Sequence, residues 1–474
     1  MTERMAERLT ERLTEPHLLD ALGPSGPYRA RKRETVTDTT GTPVAELSLT
    51  PRLFVTRALA ALHKAAPLPL ERRLAALAEA GRVFREETVE GLSYEEYERT
   101  VARVSGIPLP AVRSAADEIA DSARRALAGA YGALPGGAVL DWRDARTRTG
   151  AAVWTRRGEV LAVNAAGNHP APHALWLEAL ALGYRVAIRP SRREPFTPHR
   201  LVAALRATGF GDDHVVLLPT DHAVADEVLR GADLSLVYGG DDVVRKYAAD
   251  PTVLVQGPGR TKVLVTEDAD WRAHLDLIVD SIAHHGGVKC VDATAVLVEG
   301  DPAPLARALA ERLGALPSLP ADDEKAALPV QPVERARALE RHLLERAKGA
   351  TAHLGGDGVV EELPGGGAVL RPAVFEAPDL KGGWHTAELP FPCVWVAPWS
   401  RTSDGTAPLR DTLVLGVLSG DEDRDAGLVD ALVADPTVAN VYLGEHPTHW
   451  MDRGVPHDGY LGEFLMRTKT VIRG

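Results

Sequence analysis

The chain has very little cysteine. Cys290 and Cys393 are the only two in 474 residues, which excludes a disulfide framework and fits a reducing compartment. A basic excess is also missing. The 54 Lys and Arg face 66 Asp and Glu, for a net charge of −12, and this argues against a general nucleic-acid role, which requires basic faces. No apolar run approaches the roughly eighteen residues of a membrane-spanning helix, so no membrane role is expected. The opening Met-Thr-Glu-Arg-Met-Ala-Glu-Arg lacks the apolar core of a secretory signal and is too acidic for a transit peptide. The expected location is the cytoplasm. What remains is an ordinary globular composition, 45% hydrophobic and 25% charged, in a chain too long for one hydrophobic core. Two or three domains are expected.

Taken in order, residues 1–35 are polar and broken by Gly23, Pro24, Gly26 and Pro27, and read as a loose tail or short helix. Thr-Thr-Gly-Thr-Pro within 36–50 lies between β-favouring runs, a hairpin signal. From Pro51 to about Tyr131 the pattern is helical, with Leu70, Leu74, Leu77 and Phe84 on one apolar stripe. Pro135-Gly136-Gly137 ends that layer, and 138–157 alternate like an exposed strand pair. Residues 160–265 then alternate strand and helix. Strands are expected at Val160–Asn164, Arg185–Ile188, His214–Leu218, Leu234–Tyr238 and Thr252–Val255. Such alternation predicts a parallel sheet with right-handed crossovers, with ligands at the carboxyl ends of the strands. A second α/β cycle follows residue 265, with strands expected at Val291–Val298, Val394–Ala397, Thr412–Val417 and Thr437–Leu443.

One stretch within that second cycle concentrates the chemistry. In His284-His285-Gly286-Gly287-Val288-Lys289-Cys290, the glycines permit a tight turn or a close backbone approach. The adjacent Lys289 favours thiolate over thiol. Cys393, by contrast, enters an apolar run and reads as core. His284 and His285 lack metal-ligand spacing, and no metal is expected.

Four further segments, together with Cys290, resemble the aldehyde dehydrogenase superfamily from about residue 36 to the C-terminus. They are Val163-Asn164-Ala165-Ala166-Gly167-Asn168-His169-Pro170, Ile188-Arg189-Pro190-Ser191-Arg192, Tyr238-Gly239-Gly240-Asp241 and Val255-Gln256-Gly257-Pro258-Gly259. The resemblance implies that Cys290 is the nucleophile and that the Asn168 amide steadies an oxyanion. It gives Arg189, Ser191, Arg192 and Gly240 to the cofactor, and Glu388, in Glu388-Leu389-Pro390-Phe391-Pro392, to the nicotinamide ribose. Gln256 lies 34 residues before Cys290, the spacing at which the family carries the glutamate that activates water. Glutamine cannot accept that proton. Arg192 replaces a frequent glutamate, and a guanidinium suits a 2′-phosphate, so NADP is favoured over NAD.

The implied fold is α/β, two Rossmann-like open parallel-sheet domains with a small β oligomerisation arm. Residues 36–133 and 159–265 would form the nicotinamide-cofactor domain, 266–454 the catalytic domain, and 134–158 with 455–474 the arm. The ending His457-Asp458-Gly459-Tyr460 through Thr470 resembles the family's closing oligomerisation strand, and a homodimer or homotetramer is expected. Because Gln256 leaves water unactivated, the expected reaction interconverts an aldehyde and an acyl thioester through acyl-Cys290, in the reductive direction. An acyl-activating enzyme or carrier is then an expected partner. The alternatives are ordinary oxidation of an aldehyde to a carboxylic acid and an inactive cofactor-binding scaffold.

Overall fold

The computed structural model describes residues 16–451 and 454–474. The chain forms two compact units. The first holds the described residues up to Ser105, together with Ala115–Gln256 and Leu461–Gly474, and the second holds Gly106–Ser114 and Gly257–Tyr460.

The first unit is built on a seven-stranded sheet. Its spatial order is Val253–Gln256, Leu234–Tyr238, Val160–Asn164, Arg185–Arg189, Val215–Leu217, Ala21–Gly23 and Gly26–Tyr28. The first five strands are mutually parallel, and the last two form an antiparallel hairpin on the edge. Val160–Asn164 and Arg185–Arg189 are buried along almost their whole length, as expected of strands covered by helices on both faces. Helix Arg52–Lys64 covers one face. Its Val55, Ala58, Leu59 and Leu62 recur at helical spacing and pack on Val160, Ala162, Ala187 and Val216. Helix Leu70–Glu86 buries Leu77 and Phe84 fully and leaves Leu70 and Leu74 half-buried.

Two expectations for this unit need correction. Residues 16–35 are not a loose tail. His17–Leu19 pairs in parallel with Pro43–Ser48, and the 21–28 hairpin extends the main sheet. Short strands broken by Gly and Pro carry too little periodicity to be seen in sequence. The part of the expected tail before residue 16 lies outside the described residues. The pair of strands read in 138–157 is a single one, Ala151–Arg156, whose antiparallel partner is the distant Met466–Val471.

The second unit has its own seven-stranded sheet, ordered Thr351–Leu354, Ala373–Glu376, Cys393–Pro398, Ala295–Val298, Lys262–Val265, Thr412–Leu418 and Val438–Leu443. All neighbouring strands are parallel except the antiparallel edge strand Thr351–Leu354. The piece 106–114 joins this unit through the Val330 N–H to the Gly106 carbonyl, 2.8 Å, and an Arg113–Glu324 ion pair. The division falls after Gln256 rather than after residue 265, since Lys262–Val265 is a central strand of the second sheet.

Candidate active site

In the first unit the sheet order sets four of the predicted segments side by side. Gln256 ends its strand opposite Tyr238, the strand of Tyr238 runs beside that of Asn164, and Asn164 lies opposite Arg189. The loops that follow these strands therefore crowd one carboxyl edge, where parallel sheets bind ligands. Asn168 is exposed in the loop after Val160–Asn164. Gly167 packs against Ser191, so closely that a Cβ on it would run into the Ser191 hydroxyl. Ser191 Oγ accepts from the Arg193 N–H at 3.2 Å.

Neither predicted arginine is an idle cation. Arg189 is buried, giving Nη1–H to Asn164 Oδ1 at 2.7 Å and Nε–H to Thr220 Oγ1 at 2.8 Å. Burial lowers its pKa, and the Arg192 charge acts in the same direction. Arg192 is half-exposed, paired to Glu34 at 2.6 Å and in contact with His222 Nε2 at 2.6 Å. Gly240 caps the helix Asp241–Tyr247, and a Cβ built on it meets nothing within 4 Å. The space before that turn is open, though Asp241 and Asp242 put negative charge in the helix's first turn. An open turn and a hydroxyl on one edge leave room for a dinucleotide, and both guanidinium groups beside them already hold protein partners. Gln256 is buried, and its carbonyl accepts from the Gly239 N–H at 3.1 Å.

In the second unit Cys290 occupies a turn before strand Ala295–Val298. It therefore sits at the amino end of that sheet, not at a carboxyl end as the general rule for such sheets suggests. The approach to it is shaped by backbone. His285, Gly286 and Gly287 have φ of 51°, 88° and 64°, a left-handed run that the two glycines tolerate without strain and that is uncommon for a residue with a side chain such as His285. Thr261 Oγ1 donates to the Cys290 carbonyl at 2.8 Å, and Gly259 lies so close that any Cβ there would strike that carbonyl. Glu388 is tied to the same segment, its Oε2 accepting from the Arg260 N–H at 2.9 Å. Cys290 and Glu388 are thus held by one stretch, 259–261.

The sulfur has a partner that the sequence did not reveal. Cys290 Sγ lies 3.6 Å from His457 Nε2, and His457 Nδ1 lies 3.3 Å from Asp458 Oδ1. The His457 backbone carbonyl accepts from Asn440 Nδ2, which also donates to the Leu413 carbonyl at 2.9 Å. Burial works against a charge on the ring, but the facing Cys290 sulfur and the Asp458 carboxylate outweigh it and raise His457 from 6.5 to about 10. Cys290 is half-buried and Cys393 fully so. Burial alone pushes the Cys393 thiol up to about 12, which fits its reading as core. His457 and Asp458 open the stretch read as the closing strand, and no sequence signal joins them to a cysteine 167 residues away.

Spacing also hid a second cluster. Asp280, His284 and His449 bring one ligand atom each to within 4.8 Å of one another. His449 Nε2 is 2.7 Å from Asp280 Oδ2, and hydrogen bonds from His284 and His449 hold the Asp280 carboxyl below its ordinary range. The two rings stack at 3.6 Å, 6° from parallel, so their in-plane lone pairs run side by side instead of converging on one point.

Loops gathered on the carboxyl edge of a parallel sheet are where α/β proteins bind their ligands. The chain belongs to the aldehyde dehydrogenase family, whose sequence model matches residues 28–445. Indole-3-acetaldehyde dehydrogenase of P. syringae, solved with NAD+, superposes with a TM-score of 0.83 at 17% identity, covering 98% of both chains. An NADP-dependent enzyme of E. coli gives 0.78 at 18% identity over 96% of this chain and 98% of that one. A 1-pyrroline-5-carboxylate dehydrogenase of Thermus thermophilus gives 0.79 at 17% identity over 99% and 96%. These likenesses establish the fold. In sequence, 257 residues are 23% identical to an aldehyde-dehydrogenase-like protein of Sinorhizobium fredii, covering 51% of this chain and 48% of that protein. The match thus spans about half of that relative's length. Among the described residues no helix is long and apolar enough to cross a membrane.

Proposed function

We propose that the protein interconverts an aldehyde and an acyl thioester through an acyl-Cys290 intermediate, with aldehyde formation as its working direction. The observation that carries this reading is the proton chemistry around Cys290. The imidazole of His457 is hydrogen-bonded to the sulfur itself, and the position at which the family resemblance expects a water-activating glutamate holds Gln256, an amide with no titrating site. A proton carrier on the sulfur suits exchange of one thiol for another. Activating water at the acyl carbon calls for a base, the role the family resemblance gives to a glutamate at that position.

On this reading Asn168 donates its amide N–H to the oxyanion, an effect worth roughly 3–4 kcal/mol per donor. Ser191, Arg189, Arg192, Gly240 and Glu388 hold the dinucleotide, with NADP preferred because the Arg192 guanidinium stands where the family resemblance expects a ribose contact and suits a 2′-phosphate. The bound nicotinamide supplies or accepts the hydride. The exposed Leu140, Trp142 and Ile472 of the arm support its use in pairing with a second copy. An acyl-activating enzyme or carrier delivers the substrate.

Oxidation of an aldehyde to the acid is the second reading. His457 favours it to the extent that a neutral imidazole beside an acylated sulfur can activate water. The test is to incubate the protein with NADPH or NADH and a panel of acyl-CoAs. Aldehyde and free CoA in equal amounts support the proposal; acid from aldehyde plus NAD(P)+, with no aldehyde from any thioester, selects the second reading.

A further inference from the structure

We infer that His457, oriented by Asp458, is a catalytic residue that removes the Cys290 proton and hands it to the thiol leaving the substrate thioester. This rests on the proposed use of Cys290 as nucleophile and adds a proton carrier that the family's glutamate position no longer provides. The geometry is that of a relay. Nε2 faces Sγ at 3.6 Å and Nδ1 faces Asp458 Oδ1 at 3.3 Å, so one nitrogen meets the reacting atom while the other is fixed by a carboxylate. A third group that orients the base is the general pattern of an activated nucleophile. The backbone on both sides is pinned, Cys290 by Thr261 and His457 by Asn440.

The step balances without any redox partner. Sγ–H gives its proton to Nε2, leaving a thiolate beside an imidazolium. The thiolate attacks the thioester carbonyl, the Sγ–C bond forms, and the bond from carbon to the substrate sulfur breaks. The departing thiolate takes the Nε2 proton and leaves as a free thiol, with His457 neutral and Cys290 acylated. The departing alkyl thiolate is about as nucleophilic as the Cys290 thiolate it replaces, so the returned proton keeps it from attacking the acyl-enzyme again.

The titratable groups set against the His457 ring are Cys290 and Asp458. Tyr442, packed beside Cys290 with Val291, Leu413 and Val414, gives its hydroxyl proton to the Trp450 carbonyl at 2.8 Å and is raised by burial. It stays neutral over the pH range of the test, and Lys289 beside Cys290 is the neighbouring cation.

Two measurements on the full chain test the inference. The first is the rate of iodoacetamide alkylation at Cys290, followed by peptide mass without substrate or cofactor, between pH 6 and 8. A free thiol titrates near pH 8.5, so its alkylation falls roughly 50- to 100-fold over that interval. The wild type is expected to lose less than about threefold, His457→Gln to show the full fall, and Asp458→Asn to lie between. A wild-type rate that falls like a free thiol's overturns the inference, whether or not the variants fold. So does a His457→Gln profile as flat as the wild type's. The second compares acylation by a CoA thioester with acylation by a p-nitrothiophenyl ester, whose thiol leaves without a proton. His457→Gln should slow the first by about 10²–10⁴ and the second at least tenfold less; an equal loss on both shows that His457 hands no proton to the leaving thiol and overturns the inference. If alkylation behaves as expected but no thioester yields aldehyde, the proposed reaction fails and the proton carrier stands. If aldehyde forms and alkylation ignores His457, the reverse holds.

Discussion

Gly259→Ala perturbs the Cys290 turn by one methyl group, and its effect can be worked from contacts. A Cβ at 259 would strike the Cys290 carbonyl oxygen and lie 2.6 Å from its carbonyl carbon and 2.9 Å from its Cα. Ordinary van der Waals contact begins at 3.4 Å, so the two backbones must part by more than an ångström. Neither side is free to yield. The Gly259 carbonyl accepts from the Leu413 N–H at 2.7 Å, the Thr261 hydroxyl holds the Cys290 carbonyl at 2.8 Å, and the Thr294 N–H holds the Thr261 carbonyl at 2.9 Å. Each such bond is worth about 1 kcal/mol net, and overpacking of a tight site costs typically 1–3 kcal/mol. A destabilisation of about 2–4 kcal/mol is expected. Displacing the sulfur by about 1 Å should lower kcat on the order of 100-fold. Urea unfolding and initial rates of NAD(P)H-dependent aldehyde formation measure the two effects. Gly365→Ala is the control, because a Cβ there meets nothing within 4 Å, and it should change stability by less than about 0.5 kcal/mol. If Gly259→Ala matches that control in both stability and kcat, the account of how the turn is held is wrong.

Cys290→Ala should abolish turnover and leave cofactor affinity, read by NADPH fluorescence titration, within about twofold; turnover at the wild-type rate removes the nucleophile assignment. Gln256→Glu should speed release of acid from pre-formed acyl-enzyme by about 10²–10⁴, the usual range of general-base assistance; equal single-turnover rates in both proteins would show that the amide does not protect the thioester. Arg192→Glu should reduce kcat/KM for NADPH at least tenfold and leave NADH within a few-fold, and an unchanged ratio would place the 2′-phosphate elsewhere. Burial raises Glu194 from 4.5 to about 7. The folded state therefore holds a proton that the unfolded state loses between those values. Stability from this group is full below pH 4.5 and falls as pH rises to 7, on the order of 3 kcal/mol in total. His173 and His199, lowered by burial to about 3 and 4, pull the wild type in the opposite sense. The difference between Glu194→Gln and wild type in urea unfolding at pH 5 and pH 8 therefore isolates it, and should shift in favour of the variant at pH 8.

The parts of the fold legible in sequence are those with strong local signals. Leu234–Tyr238 and Arg185–Arg189 are strands because short apolar runs between helices have no other way to bury both faces. The predicted segments around Asn168, Arg189, Gly240 and Gln256 are neighbours because parallel sheet order makes them so; local pattern gave the strands, the family resemblance grouped the segments, and the strand order came only with the structure. The 21–28 hairpin was not legible because Gly and Pro break its short strands, and Ala151–Arg156 and Met466–Val471, far apart in the chain and weakly periodic, were joined in one arm only through the family resemblance. His457 was hidden by its distance from Cys290 in the chain. Its residue type was visible, but only the fold sets it against the sulfur. The Asp280–His284–His449 cluster shows the limit of spacing rules, which see His284 next to His285 and not His449.

The central claim is that acyl-Cys290 is formed from a thioester and discharged as an aldehyde. Intact-protein mass spectrometry after mixing enzyme with one equivalent of a reactive acyl-CoA tests it most directly. The account predicts a single acyl adduct that maps to Cys290, persists in buffer for many turnover times, and disappears on addition of NAD(P)H with one equivalent of aldehyde. An adduct that decays to acid at the same rate with and without NAD(P)H, or that maps elsewhere, contradicts it.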